Sequence, residues 1–170
     1  LRDRPQMRLE MPYGRGRISF ELDDRFQLEG IIEADVVEAG DAGNIVLKAL
    51  ARPIGAPPLE ELARGAKLVT IITPDHTRPM PSHITIPALI DEIRASSRAE
   101  IRLLVATGTH RKMTESELAE RFGVDLIDRA EVVCHDCDDS SHMADLGLLS
   151  SGRPVEISRY ALEADLLIAE

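Results

Sequence analysis

Two stretches of this chain share one grammar, and the repetition constrains its fold more than any other feature. Residues 67–82 read KLVTIITPDHTRPMPS and residues 101–116 read IRLLVATGTHRKMTES. In each, a run rich in Val, Ile, Leu and Thr, with almost no polar interruption, meets a cluster of turn residues and then a helix-start signal. That is the signature of a strand buried on both faces, as in a parallel sheet, feeding a helix. Ionisable side chains sit at both junctions: Asp75, His76 and Arg78 in the first, His110, Arg111 and Lys112 in the second. Ligands of open α/β sheets bind beyond the carboxyl ends of the strands, where such loops converge. The two loops are therefore expected to share a pocket.

The rest of the chain fits around these two units. Residues 8–22, RLEMPYGRGRISFEL, alternate apolar and polar on either side of a glycine-rich turn and predict a β-hairpin. The Gly14-Arg15-Gly16-Arg17 stretch reads as its turn before it reads as a phosphate contact. Residues 23–43 are acidic and weakly periodic apart from Ile31 and Ile32, and read mostly as loop. Asn44 is expected to cap a short helix through Leu50. Pro53, Gly55, Pro57 and Pro58 then break the chain, and Pro57 or Pro58 opens the helix LEELARG, stopped by Gly65. The first strand spans 67–73. After it, Ser82 is expected to cap a helix whose stripe is Ile84, Ile86, Leu89, Ile90 and Ile93. The second strand spans 101–107, and Thr114 with Glu117 forms a capping box for a helix stopped by Gly123. Residues 131–135 read as a third strand, 146–149 and 154–157 as short strands, 160–163 as a helical turn and 165–169 as a last strand. The fold class is α/β: a mainly parallel twisted sheet with flanking helices, Rossmann-like, preceded by a β-hairpin. A single domain over 1–170 is expected, with hairpin and acidic loop in 1–43 and βα units in 44–170.

Composition excludes some functions. The net charge is −10, from 30 acidic and 20 basic residues, with no basic run and no aromatic platform, so no nucleic acid is expected as partner. Apolar runs are strand-sized, short of the roughly 20 residues that span a bilayer, and the arginine-rich start lacks a signal peptide's apolar region. No membrane partner and a cytoplasmic location are expected. Two cysteines, Cys134 and Cys137, make no disulfide framework. The chain begins at Leu1 and stops directly after the strand ADLLIA, with no element to cover it. It is expected to be the amino-terminal part of something larger.

Several residues have the chemistry for a site. His110 follows a strand end behind Gly108 and Thr109, and reads either as a surface-loop histidine or as a proton carrier presented to a cavity. Asp75 and Arg78 either pair with each other, or Asp75 orients a histidine while Arg78 offers its fork to a carboxylate or phosphate. Gly108 and Thr109 bring backbone donors close to a helix start, where anions bind. Cys134, His135, Asp136 and Cys137, with His142, are metal-ligand types without a second ligand pair at zinc-ribbon spacing, and no metal ligand is assigned. His76 and His83 read as a loop and a first-turn residue, with His76 able to reach the pocket.

DHTRPMPSHI, ATGTHRKMT and the closing EADLLIAE together resemble the amino-terminal domain of the nickel-pincer-dependent lactate racemases and related 2-hydroxyacid racemases and epimerases. The likeness covers nearly the whole chain and is strongest from about residue 59 to 120. It implies a hydride-transferring isomerase acting on a small 2-hydroxy acid, with a nicotinate-derived nickel-pincer mononucleotide as cofactor and two histidines alternating as base and acid. By this resemblance His110 is one of those histidines, and Asp75, Thr77, Arg78, Gly108 and Thr109 belong to the substrate and cofactor pocket. The second histidine, the tethering lysine and the nickel-ligand histidine of the family fall beyond Glu170. The chain then contributes half a site, needs a carboxy-terminal domain of the same enzyme as partner, and is expected to lack cofactor and activity alone. The reading from another class is a non-catalytic nucleotide- or carboxylate-binding module.

Overall fold

The computed structural model describes residues 7–23, 25–27, 29, 30, 32 and 40–170. The chain divides into two compact units, Leu1–Glu38 and Ala39–Glu170.

In the first unit, β1 (Met7–Tyr13) pairs antiparallel with β2 (Gly16–Leu22) in the register Met7↔Leu22 to Tyr13↔Gly16. The two-residue turn suits Gly14, whose φ of 58° carries no Cβ penalty. Arg17 pairs with Glu10 across the strands, so the glycine-rich segment is a hairpin turn. Of the acidic segment read above as loop, Ile31 and residues 24, 28 and 33–39 lie outside the described residues.

The second unit is built on four parallel strands in the order β5-β4-β3-β8. They are β3 (Leu68–Pro74), β4 (Glu100–Ala106), β5 (Glu131–Cys134) and β8 (Leu166–Ala169). Side chains alternate across a strand, and the two faces differ. Val69, Ile71, Ile101, Leu103 and Val105 face a core shared with Ile86, Ile90 and Ile93 of α3 (Ser82–Ser96). Those three isoleucines are wholly buried, each worth roughly 1.5–3 kcal/mol of transfer free energy. The other face is more polar. Thr70 donates to the Tyr160 carbonyl, and Arg102 bridges Glu131 and Glu163, both at 2.7 Å, under the Tyr160 ring.

Shorter elements close the unit: α1 (Ala42–Ala51), α2 (Leu59–Leu62), α4 (Glu115–Phe122), α5 (Val124–Ile127) and α6 (Arg159–Leu162). β6 (Met143–Leu148) and β7 (Pro154–Ser158) form an antiparallel pair of their own rather than joining the parallel sheet. The Thr114–Glu117 capping box is present, and Gly123 ends α4 at a φ of 82°.

Two caps differ from expectation. Asp41, not Asn44, caps α1: its carboxylate accepts from the Asn44 amide, three residues into the turn where the orphan donors lie. Pro81, not Ser82, stands at the cap of α3, leaving that helix without a side-chain cap. The Ser82 hydroxyl is engaged instead by Glu170, which follows β8. Pro87 lies inside α3 and removes the bond its amide would have made to the His83 carbonyl.

The order of the strands positions the site. β4 and β5 lie on one side of β3 while β8 lies on the other, so the chain reverses its direction of travel at β3. Such a switch point opens a crevice at the carboxyl ends of the strands.

Candidate functional site

Pro74 pairs with Ala106 at the last rung between β3 and β4, so the loops leaving these strands start side by side. The loop after β4 turns back at once: the His110 amide donates to the Thr107 carbonyl at 3.0 Å. Gly108 has a φ of 59°, and no non-glycine residue has a positive φ among the described residues. Positive φ at only the second position of a turn is the type II′ pattern, which favours glycine there. The Thr107 hydroxyl is anchored on the His135 carbonyl at 2.6 Å.

The tight turn delivers His110 to Asp75, thirty-five residues earlier, with Nδ1 2.6 Å from Oδ2. The other carboxylate oxygen of Asp75 accepts from the Thr77 amide at 3.0 Å and the Thr77 hydroxyl at 2.6 Å. Asp75 is only 2 % exposed, so the carboxylate depends on these partners for its solvation. Burial pushes its pKa up, but the hydrogen bonds from Thr77 and His110 outweigh that and hold the carboxyl well below the usual range. An ionised Asp75 accepts only, so the proton on the shared bond belongs to His110 Nδ1. Nε2 makes no hydrogen bond among the described residues, and in the neutral ring it is the nitrogen that carries the lone pair.

Asp75 thus engages His110 and not Arg78. The Arg78 side chain is exposed, with no ion pair or hydrogen bond among the described residues, while its carbonyl accepts from Arg121 at 3.1 Å. Asp75, Thr77 and Arg78 from one loop and Gly108, Thr109 and His110 from the other line a cleft of about 430 Å³ above the ends of β3, β4 and β8. The Gly108 and Thr109 amides donate to nothing among the described residues.

The other ionisable residues at these junctions are used elsewhere. Arg111 grips Glu117 of the capping box through both terminal nitrogens, at 2.8 and 2.7 Å, and Lys112 pairs with Asp136 at 3.0 Å. His76 is exposed and does not line the cleft, because the Asp75–Thr77 turn brings residues 75 and 77 together and leaves 76 outside. His83 is likewise exposed. His142 bonds to Asp139 and stacks on Tyr160. Cys134 and Cys137 are free thiols, and among the described residues no three His, Cys, Asp or Glu side chains group as metal ligands.

One charged lining residue escaped the sequence reading. Glu170 follows β8, and its carboxylate accepts from Thr73, Ser82 and Thr85. Nothing near it in the chain signals this, since its nearest partner in sequence is 85 residues away.

Residues 13–170 match the family described as the lactate racemase N-terminal domain. The chain belongs to this family. Two curated relatives carry the name lactate racemase. That of Thermoanaerobacterium thermosaccharolyticum is 43% identical over 169 residues, and that of Lactiplantibacillus plantarum 40% over 165 residues. Each match covers 95% of this chain but only 39% of the relative. The solved lactate racemase apoprotein from T. thermosaccharolyticum superposes with a TM-score of 0.82 at 43% identity, covering 96% of this chain and 38% of that one. A solved Thermotoga maritima protein shares the fold at a TM-score of 0.55 and 22% identity, over 66% of this chain and 32% of its own. This lactate racemase N-terminal domain, in its described residues, has no helix long and apolar enough to cross a membrane.

Proposed function

We propose that this chain supplies one half of the active site of a 2-hydroxyacid racemase or epimerase, with lactate as the leading substrate. The observation that carries the reading is the Asp75–His110 pair in one cleft with Arg78, whose side chain has no partner among the described residues. His110 Nε2 takes the proton of the substrate's 2-hydroxyl, or returns it, while Nδ1–H stays bonded to Asp75. Asp75 fixes the tautomer and stabilises the imidazolium that forms. Thr77, bonded to Asp75 through its amide and hydroxyl, keeps the carboxylate turned towards His110. Arg78 offers two parallel N–H donors to the substrate carboxylate.

The family's nickel-pincer nucleotide fits this cleft at its anionic parts: Arg78 and the Gly108 and Thr109 amides suit a phosphate or carboxylate. The chain spans 39% of the length of the curated lactate racemases it matches, and we assign the metal ligands and the tethering lysine to the part of such an enzyme that it does not cover. When bound, the group supplies the acceptor for the substrate's α-hydrogen. The second acid/base histidine, for the opposite face, is assigned to that same remainder. Without it the present chain binds but does not turn over.

The test is a full-length protein carrying the cofactor, assayed for interconversion of lactate enantiomers by chiral chromatography. His110→Ala is expected to lower turnover by about 10²–10⁴-fold, the contribution of a positioned proton carrier. Unchanged turnover would remove His110 from the mechanism. An inactive wild type that still binds nucleotide or carboxylate would favour the binding-module reading.

A further inference from the structure

Glu170 has no part in the chemistry above, yet it is tied to the loop that carries it. The Thr73 hydroxyl at 2.6 Å and the Ser82 hydroxyl at 3.0 Å both donate to Oε2, and the Thr85 hydroxyl donates to Oε1. Thr73 and Ser82 are fully buried, and their hydroxyls are 3.5 Å apart. Without the carboxylate these two buried hydroxyls keep only each other as side-chain partner among the described residues.

The positions of the three donors matter more than their number. Thr73 lies two residues before Asp75, while Ser82 and Thr85 belong to the first turn of α3. The segment holding Asp75, Thr77 and Arg78 therefore begins and ends on a single carboxylate. That carboxylate also stands at the amino end of a 15-residue helix that has no side-chain cap. A negative charge is favourable there, against the positive end of the helix dipole. Glu170, 88 residues beyond Ser82, brings its charge to this helix start through the Ser82 and Thr85 hydroxyls rather than through the backbone amides that a local cap residue would engage.

We propose that Glu170 is a positioning residue: by clamping both ends of the loop, it sets the Asp75–His110 contact. The catalytic consequence rests on the racemase reading, but the geometric claim stands apart from it. Asp75 follows the clamped strand end by two residues. A displacement of that end acts directly on a contact that is only 2.6 Å long.

The test uses the 170-residue chain with a short Gly-Ser tail, so that a terminal carboxylate cannot stand in for the side chain. Glu170→Ala and Glu170→Gln are compared with wild type by amide exchange and by ¹⁵N NMR of the histidine rings. In Glu170→Ala the Thr77 amide is expected to exchange on the order of tenfold faster, the effect of losing a net hydrogen bond. The His110 Nδ1 proton signal is expected to broaden, while Ile71 and Leu103 amides exchange as in wild type. Glu170→Gln, which keeps one accepting oxygen, is expected to fall between; if the Ala variant does not fold, Gln carries the same comparison. Unchanged Thr77 exchange and an unchanged His110 signal overturn the proposal. So does an acceleration equal at Thr77, Ile71 and Leu103, which marks general loosening. A cofactor-loaded full-length wild type that racemises nothing would defeat the proposed function, yet leave the NMR comparison to decide the role of Glu170.

Discussion

Replacing Asp75 by Asn separates the chemistry of the Asp75–His110 pair from its contribution to folding. The Asn carbonyl can occupy the place of Oδ1 and keep both bonds from Thr77, so the turn survives. The other position becomes an amide donor facing Nδ1, 2.6 Å away in the native pair. Two donors cannot face each other, so the ring proton moves to Nε2, and the nitrogen facing the cleft changes from acceptor to donor. A charge-assisted bond worth about 1.5–3 kcal/mol is exchanged for a neutral one worth about 0.5–1.5 kcal/mol. The His110 ring is 51% exposed, which puts the net destabilisation at the low end, about 1 kcal/mol. Turnover in the full-length protein should fall far more, by about 10²–10⁴-fold, because the base is in the wrong tautomer. Denaturant unfolding gives the first quantity, and ¹⁵N NMR of the His110 ring gives the tautomer. An Asn variant that keeps its proton on Nδ1, or retains turnover within about threefold of wild type, refutes the reasoning.

Two further outcomes follow from the same loops. Since the Asp75 carboxyl is held below its unfolded value of about 3.9, the unfolded chain binds more protons in that window. Its stabilising contribution is full above the unfolded value and is lost as pH falls towards the folded one; thermal midpoints measured down to about pH 3 should drop more steeply for wild type than for Asp75→Asn. Gly108→Ala meets no atom within 4 Å of the new Cβ, so its cost is purely that of a φ of 59°, about 1–2 kcal/mol in denaturant unfolding. A cost near zero would mean the turn is not held in this conformation.

Local signals in this sequence were decided by contacts within a few residues, and these the residues themselves determined. The hairpin at Gly14, the two buried runs, the Thr114–Glu117 box and the stop at Gly123 each depend on a period or a cap that a short segment satisfies alone. The shared cleft was legible for a related reason: two parallel runs of similar length, each ending in a polar turn, must release their loops at the same edge of the sheet. Tertiary structure decided what depends on the order of the strands. Ser82 has the right residue type for a cap, but β8 lies against β3 and offers its hydroxyl the Glu170 carboxylate, so Pro81 takes the cap position. The choice among Asp75's partners was likewise open in the sequence, where Arg78 is three residues away and His110 thirty-five. Pairing of β3 with β4 closes that distance, and the buried carboxylate then takes the partner whose ring nitrogen reaches it at 2.6 Å. Strand order itself is set by which apolar faces can be covered together, a property of all the elements at once that no single segment carries.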